Sequence, residues 1–190
     1  IKQARQQADI CIVSLHFGYE GVKYPPPDCR RQAKAIIEFG ADLVLGHHPH
    51  VVQGMEVYKN DFIAYSLGDF VFDNLTDLRR QSVILRATFD TKGIQRVDLL
   101  PIWINEEFQP RIAEKEIADL IINRVNTLSQ YLKDGSNDRR FWEVAGGEFL
   151  KDQKLGLMRS IKRDGIRAIF ERMKQHSSIQ RQSAYTMIGM

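Results

Sequence analysis

The chain has 190 residues, 43% hydrophobic and 27% charged, the balance of a globular protein with one sizeable core or one core plus an appendage. A net charge of +3 does not by itself argue for nucleic acid, whose binders concentrate basic residues on one face. No apolar stretch approaches the about 20 residues that span a bilayer, and two cysteines, Cys11 and Cys29, do not make a disulfide framework.

The chain opens at Ile1 without an initiator methionine, and Ile1 to Ala8 reads as the end of a helix. A fragment or processed product is expected, so the lack of a leader carries no information. Asp9 to Leu15 then reads as a buried strand through Ile10, Cys11, Ile12 and Val13. A Gly- and Pro-rich loop runs from Gly18 to Pro27, and Asp28 is expected to cap a helix with Ala33, Ile36, Ile37 and Phe39 on its apolar side. Gly40 suits the helix end, and Leu43 to Leu45 form another buried strand. Strand, helix, strand predicts a parallel pair with a right-handed crossover.

Beyond this point the pattern turns to β. Met55–Tyr58 and Phe62–Ser66 flank the turn Lys59-Asn60-Asp61, and Phe70-Val71-Phe72 reads as a further strand. Ser82 to Phe89 and Ile94 to Leu100 form a second hairpin around Thr91-Lys92-Gly93. A mixed sheet, or two packed sheets, with helices outside is predicted. From Arg111 the character changes: Ile117, Leu120, Ile121, Val125 and Leu128 recur at helical spacing, and 134–138 is a loop by composition. A basic helix is expected from Leu155 to Lys174, read as a solvated face in preference to a phosphate or anionic-surface patch. The chemistry divides this chain at 109/110, into an α/β part and a helical extension.

The functional signal lies in two histidine motifs that follow buried strands. One is Leu15-His16-Phe17-Gly18-Tyr19-Glu20. The other is Gly46-His47-His48-Pro49-His50, which places three of the five histidines within four positions. A single histidine, such as His176, is most simply a surface or packing residue. Clustered neutral imidazoles gain little from crowding unless something organises them. Just past the carboxyl ends of strands is where an α/β sheet presents ligands, and imidazole suits Zn, Fe, Cu and Ni. Pro49 is expected to hold His48 and His50 in a rigid, extended loop. Arg30 and Arg31 read as solvated, and Glu20 as a loop cap or as the partner that fixes a histidine tautomer.

Residues Ala8 to Asn74 closely resemble the CapA-type capsule (poly-gamma-glutamate) synthesis family, relatives of the calcineurin-like metallophosphoesterases. The matching pieces are residues 12–18 with Glu20, Gly40-Ala41-Asp42-Leu43-Val44-Leu45-Gly46-His47-His48-Pro49-His50-Val51, Gln53-Gly54-Met55-Glu56-Val57-Tyr58, and Ile63-Ala64-Tyr65-Ser66-Leu67-Gly68-Asp69-Phe70-Val71-Phe72-Asp73. The resemblance implies a partial calcineurin-like fold, a two-sheet β sandwich flanked by helices, with a helical C-terminal extension. It implies a metal-dependent hydrolase using two divalent ions (Mn, Fe or Zn). The alternative is a non-hydrolytic capsule assembly or export factor with a vestigial or structural metal site. It maps metal ligands onto His16, His47, His48 and His50, with His47 and His48 competing for one place, and catalytic roles onto His16 and His47. Asp69 falls after the histidines and is expected to tether a loop or orient a ligand. The family's early Asp and Asn motifs are absent from this chain, so the histidine half of a metal site is expected without its carboxylate half. The implied partners are an anionic polymer or phosphoester substrate and a partner chain or N-terminal segment completing the sheet, without nucleic acid. The implied location is the cell envelope, with membrane association through a segment outside the chain; the alternative is cytoplasmic.

Overall fold

In a computed structural model of the protein, residues 1–73 and 76–147 are described. Two compact units divide the chain, Ile1–Val144 and Ala145–Met190, and both histidine motifs lie in the first. The expected basic helix of 155–174, with His176, lies outside the described residues. Among the described residues no helix is long and apolar enough to cross a membrane.

The fold is α/β with two sheets. A short helix α1 (Lys2–Arg5) leads into β1 (Ile12–His16), α2 (Pro27–Glu38), β2 (Leu43–His47), β3 (Met55–Tyr58) and β4 (Asp61–Ala64). β5 (Gln81–Asp90), β6 (Gly93–Ile104), β7 (Pro110–Ile112) and α3 (Lys115–Lys133) follow. The first sheet has the order β1-β2-β4-β3, with β1, β2 and β4 parallel and β3 antiparallel at one edge. The second is an antiparallel sheet of β5, β6 and β7.

Local sequence explains most of these elements. Cys29, Ala33 and Ile37 recur every fourth residue and form the buried stripe of α2. Its start is set by Pro27 in the first turn, where a missing N–H costs nothing. Asp28 lies inside that turn and is not the cap; the cap is Pro26, with no side-chain hydrogen bond. The helix ends in a Schellman motif: Gly40, at φ +100°, donates its N–H to Ile37 O, and Ala41 donates to Ile36 O. Lys59 and Asn60 both take positive φ, the two-residue turn whose twist matches a hairpin. The second hairpin pairs from Gln81↔Trp103 to Asp90↔Gly93, with an irregularity at Thr88/Phe89.

The central strands β2 and β4 are covered on both faces, whereas β1 is not the buried strand expected, since Ile10 and Ile12 are exposed at the sheet edge. Val44, Ile63 and Tyr65 pack with Ala33 and Ile37 of α2. Ala64 and Met55, with Leu45 and Phe62 partly buried beside them, pack with Val83 of β5 and with Ile121 and Val125 of α3. Helix α3 thus belongs to the same compact unit as the sheets. Gly54 allows its close approach, since a Cβ there would lie 2.7 Å from Leu128 O.

Two expectations change, and one short strand was not foreseen. Phe70-Val71-Phe72 is irregular rather than a strand, with Phe70 and Val71 exposed, and among the described residues no strand pairs with it. β7 was too short, at three residues, to show in an alternation pattern. Helical structure resumes at 137 inside the expected loop, where Asn137 is fully buried and donates to Pro25 O at 2.9 Å.

Candidate functional site

The two histidine motifs meet at the carboxyl ends of β1 and β2. The strands run in register, so His16 and His47 are Cα partners. Two backbone hydrogen bonds join the loops that follow. Phe17 donates to His47 O at 3.0 Å, and Gly21 donates to Pro49 O at 2.8 Å. This junction needs Gly46. A Cβ there would sit 1.9 Å from Tyr65 O and 2.8 Å from Phe17 Cε1.

The loop after β2 is not the extended segment expected from Pro49. His48 has φ 98° and His50 φ 58°, both left-handed. The residue before a proline is steered away from the right-handed helical region, and His48 meets that restriction by crossing to positive φ. Non-glycine residues held there cost about 1–3 kcal/mol each, which the surrounding packing must offset. Pro49, Val51 and Val52 are fully buried beneath the loop.

Three imidazoles form a row. The His16 and His48 ring centroids are 4.7 Å apart and those of His48 and His50 are 6.0 Å apart. Phe72 closes the row, 4.7 Å from His50. His47 stands beside His16 on the neighbouring strand. Burial, and then the proximity of His16, lower its pKa, so it resists protonation.

His50 is oriented by Asp69. Its Nδ1 lies 2.7 Å from Asp69 Oδ1. With Nδ1–H donated to this carboxylate, a neutral His50 ring would keep the lone pair of Nε2 for a ligand. That is the tautomer a metal-ligating histidine needs, with a carboxylate in its usual supporting place. Asp69 is 7% exposed, and its Oδ2 is buried without a hydrogen-bond partner. Gly68, at φ +82°, turns the chain to aim this carboxylate, and a Cβ there would lie 2.8 Å from Gln81 O. Ser82 secures the turn by donating to Leu67 O at 2.9 Å.

Other expectations fall differently. The side-chain hydrogen bond made by Glu20 among the described residues goes to neither its own loop nor a histidine. Glu20 accepts from Arg79 Nη2 at 2.5 Å, which holds its carboxyl below the usual range. Arg30 is not a free surface cation; Arg30 Nη1 donates to Asp138 Oδ1 at 2.7 Å. No sequence signal marked Arg79. The donor chemistry of the histidine row suits a divalent ion, but among the described residues no three His, Cys, Asp or Glu side chains gather closely enough to hold one.

An open cleft of about 970 Å³ lies at the opposite end of the first sheet, lined by Asp9, Asp42, Asp61 and Lys92 among others. No histidine borders it. It sits at the amino ends of β1, β2 and β4, away from the strand ends where open α/β sheets bind ligands.

Residues 1–74 match the family described as bacterial capsule synthesis protein PGA_cap. The chain is similar to the PGA biosynthesis protein CapA of Bacillus subtilis, with 32% identity over 153 residues, covering 80% of this chain and 38% of that protein. It is also similar to the capsule biosynthesis protein CapA of Bacillus anthracis, with 39% identity over 99 residues, 52% of this chain and 24% of that protein. The chain thus spans less than two fifths of the length of these relatives. All four histidines of the site, with Asp69, fall within the family match.

Proposed function

The chain belongs to the CapA-type family of capsule synthesis proteins, and on that premise we propose that it supplies the histidine half of a divalent-metal centre in a hydrolase of the calcineurin-like metallophosphoesterase kind, serving capsule or poly-gamma-glutamate biosynthesis. The observation that carries this reading is the His50–Asp69 pair, which leaves Nε2 of His50 as a ready ligand. His16 and His48 are the companion candidates, since the His48 ring contacts both His16 and His50, although the three do not gather around one point as they stand. The remaining ligands come from the part of the longer protein that these residues do not include.

Bound divalent ions would supply a nucleophilic hydroxide near neutral pH and stabilise charge on a phosphoryl oxygen. The chain's own residues have narrower tasks. Asp69 fixes the tautomer and orientation of His50. His47, kept neutral by burial, is suited to donate a hydrogen bond to a developing oxyanion or leaving group. The Phe72 ring lies against His50, 4.7 Å between centroids.

Elemental analysis of the complete gene product, wild type and variants, tests the proposal. Stoichiometric Mn, Fe or Zn is expected, lost in His50→Ala and bound about 10–100-fold more weakly in Asp69→Asn. Protein purified without chelator and offered Mn, Zn and Fe, yet holding none, would overturn the hydrolase reading in favour of an assembly or export factor.

A further inference from the structure

Arg79 and Glu20 form a pair whose two members are unequally committed. The Arg79 side chain is 15% exposed and that of Glu20 is 56% exposed. A guanidinium has five donors in a rigid fork, and Glu20 is the partner of Arg79 among the described residues. Neighbouring Arg80 is different. It donates to the carbonyls of Ile104 and Asn105 and pairs with Glu106, a structural assignment that consumes its fork.

Position gives the pair its meaning. Glu20 directly precedes Gly21, whose N–H is bonded to Pro49 O between His48 and His50. Arg79 reaches this point across 59 residues of sequence. An exposed carboxylate thus occupies a largely buried guanidinium at the rim of the histidine row.

We propose that Arg79 is the anion-recognition residue of this site, binding an oxyanion of the substrate, carboxylate or phosphate, in exchange for the side chain of Glu20. This deepens the function proposed above and rests on the same site, but the recognition step itself needs no metal. Fork geometry matches either oxyanion bidentately. The internal carboxylate keeps the guanidinium paired while the site is empty, and it excludes anions too weak to displace it.

Calorimetric titration of the complete, chelator-treated gene product with inorganic phosphate and with glutarate tests this without reference to metal. Arg79→Gln is expected to weaken binding by about tenfold or more, with partial retention in Arg79→Lys. Glu20→Gln is expected to tighten it by roughly two- to fivefold, because removing the internal competitor frees the fork. A purely structural ion pair would give no gain from Glu20→Gln. Binding of phosphate alone assigns the oxyanion to a phosphoester, and binding of glutarate alone assigns it to polymer carboxylates. Absence of binding by both anions, or affinities unchanged or shifted the same way by both substitutions, overturns the proposal. Should Arg79→Gln fail to fold, the sign of the Glu20→Gln effect decides alone. A metal-free protein that still shows these opposite shifts would retain anion recognition even if the hydrolase reading failed.

Discussion

Gly46→Ala is the sharpest perturbation of the site's foundation. The new Cβ would meet Tyr65 O at 1.9 Å, Tyr65 C at 2.6 Å and Phe17 Cε1 at 2.8 Å. Ordinary contact begins at 3.4 Å, so β2 and the chain beyond β4 must part by about 1.5 Å. The obstacle is backbone in a hydrogen-bonded sheet, and it cannot rotate aside as a side chain would. Overpacking in a well-ordered core costs about 1–3 kcal/mol, and a backbone clash of this depth belongs at or above the upper end, about 3 kcal/mol. For a unit of this size that corresponds to a fall in Tm of roughly 10 °C. Gly21→Ala is the control. It meets no atom within 4 Å but has φ +73°, so it bears only the left-handed penalty, about 1 kcal/mol. Urea unfolding followed by circular dichroism compares the two. If Gly46→Ala loses no more stability than Gly21→Ala, the close approach at the base of the histidine loop does not hold the strands in place, and the reasoning fails.

Two further predictions concern buried groups. Tyr65, fully buried, donates its hydroxyl to Glu56 Oε1 at 2.6 Å, so Tyr65→Phe should cost about 1–2 kcal/mol in urea unfolding; a loss below about 0.3 kcal/mol would show the bond contributes nothing net. Burial, and then the charge of Asp28, push the Cys29 thiol up to about 11 from its ordinary 9.0. The unfolded chain then loses this proton first, so stability should decline as pH rises above about 9 and level off above about 11. Chemical unfolding across that range should give a shallower decline for Cys29→Ala, and identical slopes would contradict the assignment.

The sequence by itself determined the elements whose signals are local. Short apolar runs marked β1 and β2, the apolar residues Ala33, Ile36 and Ile37 marked α2 (with Phe39, also expected there, exposed beyond its end), Gly40 marked its end, and the Lys59-Asn60 turn and the Thr91-Lys92-Gly93 turn marked both hairpins. It also put His16 and the His47–His50 segment at strand ends, because strand direction is fixed once the parallel pair is recognised. Tertiary structure decided everything that depends on a partner distant in the chain. The apolar run Phe70–Phe72 has the composition of a strand but pairs with no strand among the described residues, since a ladder requires a neighbour that composition does not reveal. Pro49 restricts His48 without specifying which permitted region it enters, and the folded chain places both His48 and His50 at positive φ next to the fully buried Pro49, Val51 and Val52. Asp69 could be read as an orienting residue, but its choice of His50 lies 19 residues away and depends on Gly68 packing against Gln81. Arg79 left no local trace at all. Its meaning comes from a contact with Glu20 spanning 59 residues, and long-range pairing of that kind is set by how the sheets and loops pack, which no window of neighbouring residues encodes.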